Sequence, residues 1–214
     1  MRTLKNKYIS KTKEQRLYEQ DIPTIGLTGG IATGKTSVSK YLEEKGLAVI
    51  CADKLVKSIY AQPATIEFIN QDYPSAIKNN EIDFKKLREI FFSDKEIQKK
   101  IEHYIYAKMP NAYLDAVSKF HDPGILIYDV PLLFEKGLDQ KVDLSILVYA
   151  SPEIQVKRLM NRDGISKELA LNIISKQISI DEKKEKSDFI VDNSQTLENS
   201  FSQIDQLLEL LLEN

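Results

Sequence analysis

The chain has 214 residues, with 30 Lys and Arg against 32 Asp and Glu, a single cysteine (Cys51) and eight glycines. One cysteine excludes an intrachain disulfide framework, no run approaches the roughly 18 apolar residues of a membrane span, and a net charge of −2 gives no general footing for nucleic acid, since counterion-release binding needs a basic surface. What remains is one substantial domain, large enough to bury about 70% of the surface its unfolded form exposes.

The first twenty residues carry six basic and two acidic side chains. They lack the apolar h-region of a secretory signal and are not strongly Arg- or Ser-rich, so residues 1–21 read as a frayed or accessory basic tail. The expected location is cytoplasmic, with no membrane or nucleic-acid partner and the oligomeric state left open. Five apolar runs follow: Ile22–Thr28, Leu47–Cys51, Ile125–Asp129, Asp143–Tyr149 and Asp188–Val191. They are continuous rather than alternating, as expected of parallel strands covered on both faces. Helical patterns alternate with them, at Thr36–Lys45 and at Pro152–Arg162, where Ser151 is placed to cap a helix that starts on proline. The expected fold is therefore α/β with right-handed crossovers.

Half of the glycines fall in nine residues, Gly26, Gly29, Gly30 and Gly34. Gly29-Gly30-Ile31-Ala32-Thr33-Gly34-Lys35-Thr36 matches G-x-x-x-x-G-K-[ST] between a predicted strand and a predicted helix, which is the context this motif requires. Glycines let backbone N–H groups turn toward an anion, and the helix N-terminus adds about half a positive charge. Lys35 is expected on the β- and γ-phosphates of a nucleoside triphosphate, and the Thr36 hydroxyl on Mg²⁺. The alternative is a glycine-rich turn with a surface lysine.

Between the second and third runs lie some seventy residues with helical stretches near Thr65–Asp72, Asp83–Phe92 and Lys95–Lys119, punctuated by Pro63, Pro74 and Pro110. An insertion of that length suggests a substrate-binding subdomain. A second insertion follows the fourth run. It ends in Asp181–Asp188 (DEKKEKSD), read as a solvated helix end or loop.

A phosphate loop alone does not name a reaction. The D-x-x-G and N-K-x-D strings of a GTPase switch are missing, and the one Asp-Glu pair, Asp181-Glu182, lies in the charged run rather than at a strand end. A small-molecule kinase fits the two insertions better; a non-catalytic nucleotide sensor is the alternative of a different class. Asp53 follows the second run and Asp129 ends the third, so a parallel sheet puts both at its carboxyl edge, where ligands bind. Asp53 is either the base that takes the acceptor's proton or a helix cap. Asp129 either holds a metal-bound water or merely ends a strand. Arg158 and Arg162, four apart, share a helix face and either contact nucleotide or solvate that face.

The residues resemble the dephospho-coenzyme A kinase family. The likeness rests on Gly26-Leu27-Thr28-Gly29-Gly30-Ile31 running into Gly34-Lys35-Thr36, on Val49-Ile50-Cys51-Ala52-Asp53, on Leu87 through Phe92, and above all on Val130-Pro131-Leu132-Leu133-Phe134-Glu135. The Gln155/Arg158/Arg162 spacing, Gln177 and Asp192-Asn193-Ser194 complete it. The resemblance implies ATP-dependent phosphorylation of the ribose 3′-hydroxyl of dephospho-CoA, on a three-layer P-loop α/β fold with a five-stranded parallel sheet. It implies Asp53 as base and Lys35 and Arg162 on the transferred phosphoryl group. Gly29, Gly30 and the Ala32–Ser37 loop, including Thr33, Gly34, Thr36 and Ser37, would surround the phosphates, with Arg158 nearby and Asn193 near the adenine. The kinase domain then spans 22–214, with core segments 22–52, 120–150 and 184–214, an acceptor-binding insertion at 53–119 and a lid at 151–183. Three positions depart from the family pattern: Cys51 replaces an acid, Tyr104 replaces a proline after His103, and Gln195 replaces a glycine.

Overall fold

The computed structural model describes residues 2–213. Two compact units emerge, one comprising the chain up to Cys51 and again from Phe120, the other Ala52–Lys119. In chain order the first unit opens with β1 (Thr3–Leu4), β2 (Thr24–Gly29), α1 (Lys35–Glu44) and β3 (Ala48–Cys51). The second unit holds α2 (Ala52–Tyr60), α3 (Pro63–Asp72), β4 (Ile77–Lys78), β5 (Glu81–Ile82), α4 (Phe84–Ser93) and α5 (Lys95–Val117). The chain returns to the first unit with β6 (Leu126–Asp129), β7 (Leu144–Tyr149), α6 (Pro152–Asp163), α7 (Lys167–Ile174), α8 (Ile180–Lys186), β8 (Phe189–Asp192), α9 (Leu197–Leu211) and β9 (Leu212–Glu213). No described helix is long and apolar enough to cross a membrane.

The five apolar runs become the five strands of a parallel sheet in the order β3-β6-β2-β7-β8. Strand periodicity sorts β2 into two faces. Ile25 and Leu27 point with Val49, Ile127, Ile146 and Val148 toward Val38 and Leu42 of α1 and Ile204, Leu208 and Leu211 of α9. A stacked pair, Tyr41 and Phe201 at 4.1 Å, joins those two helices. On the opposite face, a Cβ on Gly26 would stand 3.0 Å from Leu133, and the Thr28 hydroxyl donates to the Pro131 carbonyl at 3.3 Å. Lys183 of α8 donates to that same carbonyl at 3.0 Å, so the sheet lies between two layers. Each fully buried Ile or Leu here stabilises the fold by about 1.5–3 kcal/mol.

Two expectations need correction. The N-terminal segment is not frayed: Thr3 and Leu4 pair antiparallel with Glu213 and Leu212, and Lys5 donates to the Glu209 and Leu210 carbonyls at the end of α9. Its anchor is Asp143, just before β7, whose carboxylate accepts from the backbone N–H groups of Ser10, Lys11 and Thr24 and from two nitrogens of buried Arg16. A buried carboxylate demands such donors, and four of these five come from an N-terminal segment whose sequence shows only an excess of basic charge. Second, DEKKEKSD is not uniformly solvated, because Lys183 within it is fully buried.

In the second unit Asp83 caps α4, accepting from the Lys85 and Lys86 N–H groups, and Asp94 caps α5, accepting from Glu96 N–H. Pro110 lies inside α5, which continues through it. The β4–β5 hairpin turns on Asn79 and Asn80, both at positive φ, as a tight two-residue hairpin requires.

Candidate active site

The phosphate loop leaves β2 at Gly29 and enters α1 at Lys35. Inside it, buried Thr33 donates through its hydroxyl to the Gly30 carbonyl at 2.9 Å, and Ala32 is held at φ 60°, a conformation that non-glycine residues rarely adopt. Such a shape persists only where its surroundings over-determine it. Four side chains from later in the chain supply that constraint. Gln155 of α6 donates to the Ile31 carbonyl at 2.9 Å, and Gln177 accepts from the Ile31 N–H at 3.0 Å. Asn193, at the end of β8, donates to the Thr33 carbonyl at 2.7 Å, and Arg158 donates to the same carbonyl at 3.4 Å and to the Asn193 carbonyl at 2.8 Å.

This crowding explains the two glycines most strictly required. A Cβ on Gly34 would lie 2.1 Å from the Asn193 amide nitrogen, on a backbone already at φ 89°. A Cβ on Gly30 would lie 2.3 Å from that of Gln155. The glycines serve here to admit the clamp as well as to free the backbone.

Lys35 and Asp129 form an ion pair, with 12% and 4% of their side chains exposed. Asp129 ends β6, in register with Leu27 of β2 and Cys51 of β3, at the carboxyl edge of the sheet. Thr36, the second residue of α1, is exposed. Among the described residues no group of three or more His, Cys, Asp or Glu could hold a metal unaided. The donors present, a hydroxyl at Thr36 and a carboxylate at Asp129, nonetheless fit Mg²⁺, which takes one or two protein oxygens beside substrate phosphates and water.

The two arginines of α6 part company. Arg158 reaches the loop, whereas Arg162 is exposed and binds its neighbour Asp163 at 2.7 and 2.9 Å. That bond lowers the Asp163 carboxyl below its ordinary range and raises the guanidinium further. Asn193, expected near adenine, is buried against the loop, its side-chain amide oxygen accepting from the Ser200 hydroxyl at 2.9 Å.

In the second unit Asp53 sits exposed in the first turn of α2, two residues along the chain from Cys51. It lines a cavity of about 770 Å³ with Lys57, Tyr60, Ile66, Phe84 and Arg88. The Tyr60 and Phe84 rings meet edge to face at 5.5 Å, and burial pushes the Tyr60 hydroxyl's pKa up. His103 is exposed on α5 and lines no part of that cavity. Reading the sequence assigned no role to Gln155, Gln177 or Glu135. Their only signal was membership in strings shared with a family.

The family model for dephospho-CoA kinase matches residues 23–199. A dephospho-CoA kinase from Fusobacterium nucleatum is 42% identical over 192 residues, covering 89% of this chain and 99% of the relative. One from Listeria innocua is 33% identical over 198 residues, covering 89% and 98%. The crystal structure of TT1252 from Thermus thermophilus superposes with a TM-score of 0.78 at 28% identity, covering 88% of this chain and 97% of that one. With the phosphate loop complete and matches of this extent, the chain belongs to the dephospho-CoA kinase family.

Proposed function

We propose that this chain carries out its family's reaction, transferring the γ-phosphoryl group of ATP to the ribose 3′-hydroxyl of dephospho-CoA to give CoA and ADP, the last step of coenzyme A formation. The observation that supports this most is the match across residues 23–199, which includes the whole phosphate loop. The loop from Gly29 to Ser37 binds the phosphates, and Lys35 exchanges Asp129 for the β- and γ-phosphate oxygens. Asp53 accepts the proton of the 3′-hydroxyl as its oxygen bonds to the γ-phosphorus and the bond to the β-phosphate oxygen breaks. Arg162 leaves Asp163 to meet charge on the transferred group. Thr36 and Asp129 are the protein oxygens that would hold Mg²⁺, which when bound would supply positive charge to the phosphate oxygens.

In this reading 53–119 binds the acceptor, its cavity offering apolar wall to a pantetheine arm and Lys57 and Arg88 to phosphates. Residues 151–183 form the lid, whose closure excludes water that would compete for the phosphoryl group. The enzyme works in the cytoplasm on small molecules, without nucleic-acid or membrane partners. ADP release measured with ATP and dephospho-CoA, beside AMP, shikimate and no acceptor, tests the proposal. Release that depends on dephospho-CoA supports it; release indifferent to the acceptor sinks it.

A further inference from the structure

Lys183 is fully buried, an uncommon state for lysine. Its ammonium bonds the Glu135 carboxylate at 2.8 Å and the Pro131 carbonyl at 3.0 Å, the carbonyl that also accepts from Thr28 one residue before the phosphate loop. The same Glu135 oxygen accepts from the Ile178 N–H at 3.2 Å, while the other, Oε2, is buried with no partner in the described structure. Ile178 follows Gln177, whose side chain holds the Ile31 N–H. Ile180, two residues on, stands 3.3 Å from where a Cβ on Gly30 would lie.

An ion pair with a fully buried lysine, a half-buried glutamate and an orphaned buried oxygen is a poor source of stability, because desolvation offsets its Coulombic gain and an apolar pair of similar volume often does as well. Its geometry, however, fixes the backbone at 178 and, through Gln177, the loop at Ile31. We propose that Glu135 and Lys183 are positioning residues that hold Gln177 against the phosphate loop and so set the affinity for ATP. The inference rests on the assignment of that loop to ATP.

The test measures binding of a fluorescent ATP analogue, thermal melting and steady-state rates for Glu135→Gln, Gln177→Ala, the double variant, and the apolar pair Glu135→Leu with Lys183→Met. Glu135→Gln and Gln177→Ala should each weaken analogue binding about three- to tenfold, the worth of one hydrogen bond. The double variant should be no weaker than the worse single one, since both act on Ile31. KM for dephospho-CoA should stay within about twofold of wild type in the folded variants. Should Glu135→Gln not fold, the apolar pair, which leaves no buried charge, should fold and still bind the analogue more weakly. Folded variants with wild-type affinity, or strictly additive losses in the double variant, would overturn the proposal. A wild-type protein that does not bind the analogue would instead overturn the ATP assignment beneath it.

Discussion

The two units place their polar side chains in opposite ways. In the first, the phosphate loop is gripped by Gln155, Arg158, Gln177 and Asn193, each bonded to loop backbone or to a neighbour that is. In the second, Asp53, Lys57 and Arg88 stand exposed around a roomy cavity walled by Tyr60, Ile66 and Phe84. A triphosphate is compact and highly charged, and fixed backbone dipoles bind it without reorganising. A long acceptor with an apolar arm needs volume and a few charged anchors. Under the proposed function, substitutions in the first unit should therefore disturb ATP affinity, and those in the second the acceptor or the chemistry.

The largest expected effects separate binding from chemistry. Arg162→Ala should lower kcat by about 10³-fold, and Asp53→Asn by about 10²-fold, each leaving ATP affinity unchanged. Near wild-type turnover would return Arg162 to a solvated helical face, or Asp53 to a helix cap. Asp143→Ala sharpens the contrast from another side, because it strands buried Arg16 and frees three backbone N–H groups far from any substrate role. A loss of about 3–5 kcal/mol in unfolding free energy is expected by chemical denaturation, with ATP affinity per folded molecule preserved. Weakened ATP binding there would mean that the N-terminal anchor and the loop are coupled. The smallest effect concerns Arg88→Ala, which should raise KM for dephospho-CoA about tenfold, the loss of one charge-assisted contact, with KM for ATP unmoved. An equal rise in both would erase the division between the units.

Much of this arrangement was legible in sequence wherever the determinant was local. The strands announced themselves as continuous apolar runs, the loop as eight consecutive residues, and Ser151 as a cap beside its helix. What escaped was nonlocal. Gln155 and Gln177 lie 124 and 146 residues from the loop atoms they hold, and only their membership in strings shared with a family marks them. Lys183 looked like its neighbours because a charged run conceals which single residue turns inward. The N-terminal segment looked free because its anchor, Asp143, is more than a hundred residues away. The β4–β5 hairpin strands, two residues each, are too short to leave a periodic trace.

The proposed reaction phosphorylates the 3′-hydroxyl of dephospho-CoA. Phosphorus NMR of a reaction containing ATP, Mg²⁺ and dephospho-CoA tests it directly. One new 3′-phosphomonoester, identical to that of CoA, is expected for each ADP formed. ADP accumulating without that signal, at a rate the acceptor does not change, would contradict it.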